Sequence, residues 1–241
     1  MRLLVAAAEV IDTTGARILA ATMRTLIDFG VKRTTVDMVA KNAGVSHMTV
    51  YRRWPSRADL LREAVADEVE RLFQESYDEM EQQDCFDDMV IVGFSGFLWR
   101  VINHPLMVRE MQTEPEVILP FFTVSFGPIL DAANRFTRKS MSRAAAANDL
   151  EITELDALAE VMVRVAHSLV LTPNPAHPMA SRDDVDDYAR RFLVPLARNA
   201  TTPRRTRGAK KTRPARKRAS VPAAAPTKAT RGRLIGVEQR S

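Results

Sequence analysis

The sequence predicts an all-α fold. Apolar residues recur three and four apart along nearly its whole length. No stretch alternates apolar and polar as a half-buried strand does, and no segment repeats. Ser, Thr, Gly and Pro stand where helices of ordinary length would begin and end. With 241 residues, 46% of them hydrophobic, the chain has material for a sizeable core in one or two domains.

Residues 1–13 read as an arm. A first helix is expected from about residue 14, through Arg17, Ile18 and Leu19, to Phe29 and Gly30. Thr34 and Asp37 then stand three apart ahead of an apolar run, the signature of a capped helix start. Val36, Val39, Ala40 and Ala43 share one side of that helix and should face a core. Gly44 ends it, since glycine takes left-handed backbone angles without steric penalty. Ser46 is a good N-cap for a second short helix, to about Arg53. Val50 and Trp54 are four apart and bury together. His47, Met48, Thr49, Tyr51 and Arg52 are left near the exposed tip and outer face. Pro55 closes the helix, because proline disfavours helical angles at Trp54. Ser56 can cap the next helix, with Arg57 in its first turn. A cation at a helix start opposes the macrodipole. Arg57 makes sense there if an anion, such as a DNA phosphate, sits at the same place. Two helices joined by a tight Gly-containing turn are the form in which a small domain lays a helix in the DNA major groove.

An ordered set of residues resembles the DNA-binding domain of the TetR family of bacterial transcriptional regulators. It comprises Thr34-Thr35-Val36, Val39-Ala40, Ala43-Gly44-Val45-Ser46, Thr49-Val50-Tyr51, Trp54, Ser56-Arg57 and Leu60-Leu61. The resemblance implies a three-helix helix-turn-helix domain over residues 14–62. It implies that residues 63–199 form a helical domain that binds a small-molecule effector and dimerises, commonly through its last two helices. By the same resemblance His47, Met48 and Thr49 face base edges, while Tyr51, Arg52 and Arg57 meet phosphates or the groove. Thr35 and Ser46 complete the expected DNA-binding set. Thr49 suits a base-edge hydrogen bond and Met48 a thymine methyl. Asp37 departs from the pattern, where many relatives carry a basic residue. So does Met48, where many carry glycine, so base preference cannot be carried over.

Beyond Leu61 the helical pattern continues. A long helix over 56–81 would link the head to the body. An apolar one over 86–103 is broken by His104-Pro105, and a short one follows over 105–112. The stretch 115–147 holds Pro120 and Pro128, which should kink or split it. The last two helices are expected over 153–171 and 181–198, the second opening on Ser181-Arg182-Asp183-Asp184. Leu158, Val161, Met162 and Val165 make a broad stripe on the first, and Val185, Tyr188, Ala189 and Phe192 on the second. Each stripe suits a dimer face or the internal core. Phe94, Phe97, Trp99, Phe121, Phe122, Phe126 and His167 are candidate pocket residues. Large apolar contact with few polar groups favours a small hydrophobic effector, and the same aromatics would also serve as plain core.

Charge is unevenly placed. Residues 1–65 hold ten Lys/Arg against six Asp/Glu, residues 66–199 twelve against twenty-three, and residues 200–241 thirteen against one. Two basic regions flank an acidic body, which suits double-stranded DNA as the partner and orients the protein on it. The segment 200–241 nearly lacks large apolar side chains and reads as a disordered basic tail, a nonspecific DNA-binding arm. The single Cys85 fits a reducing cytoplasm. The opening apolar run is too short for an export signal, and no run reaches membrane-spanning length. The expected setting is the cytoplasm, on the nucleoid, with no membrane. The four histidines show no zinc spacing, and there is no phosphate-binding glycine loop or nucleophile elbow. No cofactor, metal or catalytic residue is therefore expected. The reading is a dimeric, ligand-responsive repressor on a palindromic operator. An architectural DNA-binding protein without an effector, or an activator, are the alternatives.

Overall fold

A computed structural model describes residues 13–124, 127–172 and 178–204, the side chain of Phe121 excepted. The expected arm up to residue 12, Phe126, and the tail from residue 205 lie outside the described residues. The all-α expectation holds. Helix α1 runs Thr13–Phe29, α2 Val36–Ala43 and α3 His47–Arg53. Helices α4 Arg57–Glu81, α5 Phe86–Ile102 and α6 Pro105–Thr113 follow. The prolines of the long stretch split it into α7 Pro115–Phe122 and α8 Gly127–Ala147. Pro120 lies inside α7, whereas Pro128 sits at the start of α8, where its missing N–H has no helical partner to lose. Helix α9 spans Leu155–Leu171.

The final predicted helix is interrupted. Helix α10 (Arg182–Tyr188) passes into a π-helical turn, Ala189–Leu193, before α11 (Val194–Asn199). Pro195 explains the widening: it has no N–H to donate back, and its ring would crowd the carbonyl one turn earlier. Val194 N–H instead reaches five residues back, to Ala189 O. Ser181 and Asp184 form the expected cap, here a complete capping box.

Two short strands correct the sequence reading. Strand β1 (Leu150–Ile152) pairs antiparallel with β2 (Thr201–Pro203), Glu151 opposite Thr202. Residues 200–204 thus belong to the folded body, and the tail begins after Arg204.

The head is α1–α3 with the start of α4. Its core gathers Ile18, Val39, Val50, Trp54 and Leu60. Gly44 takes φ 64° at the end of α2, the left-handed conformation its position requires. The expected N-cap shifts by one residue. Thr35 caps α2, accepting from Met38 N, while Thr34 is buried and donates to Gly30 O at 2.8 Å. The body packs around α5. Phe86, Val90 and Leu98 of α5 meet Met80, Met141, Leu158 and Val185 from four neighbouring helices. Helix α4, roughly 37 Å long at 1.5 Å per residue, carries Leu60 in the head core and Met80 in the body core. No helix among the described residues is long and apolar enough to cross a membrane.

Candidate nucleic-acid interface and effector cavity

Helix α3 is anchored from behind and wet in front. Val50 is 1% exposed and Trp54 6%, and the Trp54 indole N–H donates to Glu63 on α4 at 2.7 Å. Ser46 caps the helix: its hydroxyl accepts from Thr49 N at 3.1 Å and lies 2.8 Å from the Thr49 hydroxyl. Thr49 is therefore half-buried and turned toward the cap, while Ser46, His47, Met48 and Arg52 are exposed. The exposed Met48 (73%) is one of the most solvent-accessible large apolar side chains described. His47 and Tyr51, one turn apart, meet edge to face at 4.5 Å. Tyr51 also packs on the head core, so its ring is both core and surface. His47 Nε2 lies 3.6 Å from the Asp37 carboxylate at the start of α2. Thr35 is exposed beside it. Thr35, Ser46, His47, Met48 and Arg52 are thus exposed, while Thr49 and Tyr51 are half-buried.

Arg57 is the exception. Its Nε donates to Thr34 O at 2.7 Å, and a terminal nitrogen donates to Val31 O. In the structure the first-turn arginine is compensated by the chain's own pair of carbonyls. Arg57 braces the turn between α1 and α2.

The body grips the same turn from the other side. Glu110 on α6 is 1% exposed and accepts from Val31 N at 3.0 Å. Arg109 donates to Asp28 O at 2.9 Å, at the open end of α1. Gly30 sits between them at φ 82°, and a Cβ there would stand 2.9 Å from the Glu110 carboxylate. Residues 30–34 are held by α4 through Arg57 and by α6 through Glu110. Nothing in the sequence pattern marks Arg109 or Glu110 for this work, because their partners lie about eighty positions away.

A cavity of about 350 Å³ runs along α4. Its head end is formed by Met23, Leu26 and Val31, and its body end by Phe94, Phe97, Phe122 and His167. Four of the predicted pocket residues are thereby brought together. His167 Nε2 is 2.7 Å from Phe122 O. Trp99 is not in the wall; it packs against the core around α5. Phe126 and the side chain of Phe121 lie outside the described residues. Glu68 and His104 meet in the wall at 2.8 Å, joining α4 to the start of α6. Hydrogen bonds from Arg71 first, then His104, hold the Glu68 carboxyl down at about 2. The folded value lies below the ordinary 4.5, so this pairing stabilises the fold fully above 4.5 and is lost as pH falls toward about 2. Glu68→Gln should flatten the acid limb of the thermal midpoint against pH over that window, and an unchanged limb would contradict the pairing.

Residues 18–64 match the model of bacterial regulatory proteins of the tetR family. An uncharacterised HTH-type transcriptional regulator of Mycobacterium bovis is 39% identical over 62 residues, 26% of this chain and 33% of that one. The DNA-binding transcriptional repressor TetR of Mycobacteroides abscessus is 39% identical over 54 residues, 22% and 28% of the two chains. The chain spans about a third of the length of the curated relatives it matches. Among solved structures, the TetR family repressor AlkX from a Dietzia species aligns at a TM-score of 0.60 and 18% identity, over 77% of this chain and 96% of that one. The repressor QsdR of R. erythropolis aligns at 0.56 and 20%, over 78% and 95%. These two alignments extend the likeness of fold through the body.

Proposed function

We propose that this chain, a member of the TetR family of bacterial regulatory proteins through its residues 18–64, is a dimeric transcriptional repressor released from its operator by a small apolar effector. The observation that carries the reading is helix α3. Its apolar back is locked into the head by Val50 and Trp54, and its wet side presents His47, Met48, Tyr51 and Arg52. A short helix held this way fits a major groove. Two heads would read a near-palindrome with half-sites about one helical turn, ~34–36 Å, or a multiple apart.

The cavity supports effector control. It touches the end of α1 and the core of the body at once, so a molecule filling it would act on both. Through Arg57 and Glu110 any shift of α4 against α6 moves the turn that carries the head. Differential affinity of the effector for two head positions is then sufficient to lower operator affinity. Dimerisation is assigned to α9 and the α10–α11 region. Val161 (44%) and Phe192 (43%) lie exposed there, large apolar side chains that a partner would cover. The setting we assign is the cytoplasm, on the nucleoid. Light scattering should give twice the chain mass, and selection of bound fragments from genomic DNA should return a near-palindrome. A monomer, or fragments with no shared sequence, would reject the reading in favour of nonspecific packaging.

The basic segment after Arg204 is assigned to the DNA backbone. It carries twelve Lys/Arg. Truncation after Arg204 should weaken binding to operator and random DNA alike. It should flatten log affinity against log salt by about 0.9 for each phosphate that the segment neutralises. An unchanged slope would remove the segment from the interface.

A further inference from the structure

We propose that the cavity takes an uncharged amphiphile: an elongated apolar molecule bearing one hydroxyl or carbonyl oxygen, which the Ser140 hydroxyl engages. The inference rests on reading the cavity as an effector site. Ser140 stands on α8 in the cavity wall and is 4% exposed, and its Oγ meets no hydrogen-bond partner among the described residues. That sets it apart from the other buried hydroxyls of the chain. A helical Ser or Thr ordinarily satisfies itself by donating one turn back. Thr22 donates to Ile18 O at 2.8 Å, Thr25 to Ala21 O at 2.7 Å and Ser76 to Leu72 O at 2.7 Å. Thr34 donates to Gly30 O, and Ser95 accepts from Arg182. Ser140 does neither, although it too is buried. Buried polar groups are almost always paired, and an unpaired one on a residue of the cavity wall is satisfied if the cavity holds a polar atom within its reach.

The charged groups of the wall are already engaged. Glu68 is held by His104 and Arg71. Arg57 is turned onto two backbone carbonyls, and Arg62 is bonded to Asp59 at 2.9 Å. A carboxylate entering the cavity would meet the Glu68 charge without a cation directed at it, and an ammonium would have to displace the partners Glu68 has. The remaining wall is chiefly apolar side chains of α1, α4, α5, α8 and α9. About 350 Å³ lies at the lower end of the ~300–1,000 Å³ typical of ligand pockets. A slender chain with one neutral polar end fits that wall.

The test is calorimetric titration of the full chain with 1-decanol, decanoate and decylamine, repeated on Ser140→Ala. Decanol should bind at least tenfold more tightly than either charged analogue. Ser140→Ala should weaken decanol alone, by about 2- to 12-fold, the range of one neutral hydrogen bond, with a thermal midpoint no lower than that of the unsubstituted chain. Tighter binding of decanoate or decylamine would overturn the inference and leave the effector reading intact. Unchanged decanol affinity in Ser140→Ala would overturn the role of the hydroxyl. If none of the three binds, the effector reading of the cavity falls and this inference with it.

Discussion

Trp54→Ala should unfold the head under conditions in which the unsubstituted protein is intact. The indole is 6% exposed and belongs to the cluster formed by Val39, Val50 and Leu60. Removing so large a buried ring costs about 3–5 kcal/mol, by lost burial and by the cavity left behind. It also removes the hydrogen bond that Glu63 accepts from the indole N–H at 2.7 Å. Urea unfolding should show the loss in the midpoint, and DNA binding should disappear with it. The effect is large because the indole both seals the back of α3 and ties it to α4 through Glu63. A variant with the midpoint of the unsubstituted chain would mean that α3 is held by something other than its apolar back.

Arg57→Ala should destabilise the protein by about 2–3 kcal/mol, since it removes two hydrogen bonds from a charged donor in a half-buried place. Operator affinity should fall as the turn at residues 30–34 loosens. The salt dependence of binding distinguishes the two roles open to this arginine. A phosphate contact would flatten log affinity against log salt by about 0.9 on removal. An internal brace would leave that slope as it was, and the carbonyl bonds predict an unchanged slope with a lowered thermal midpoint. A flattened slope with an unchanged midpoint would return Arg57 to the DNA interface.

Arg57 also shows where the sequence stops being legible. Its position demanded an electronegative partner, and that much follows from the helix dipole. Which partner depends on Val31 and Thr34, some twenty-five positions earlier, and local spacing cannot supply it. The helix-turn-helix itself was readable because its determinants are local. Ser46, Ser56 and Ser181 cap the helices they precede, and Gly44 ends α2. Thr34 and Thr35 compete for one cap in sequence, and burial of Thr34 against Gly30 O decides it. Strands β1 and β2 escaped notice because three residues are too few to alternate, and each pairs across some fifty positions. In the body, Phe94 and Phe97 could be placed near the cavity by their aromatic size. Trp99 lies on the same helix but turns to the other core, and helical periodicity alone does not say which side a cavity occupies.

In the proposed function, the exposed side of α3 meets the bases of an operator. The direct measurement is the ratio of affinities for a selected genomic fragment and for random DNA, taken for the unsubstituted chain and for the triple variant His47→Ala, Thr49→Ala, Arg52→Ala. Sequence-specific proteins show ratios of about 10³ or more. The ratio should collapse toward unity in the triple variant, with a thermal midpoint close to the original, because Val50 and Trp54 still anchor the helix. A triple variant that keeps the full ratio would place sequence reading elsewhere on the molecule and contradict the assignment.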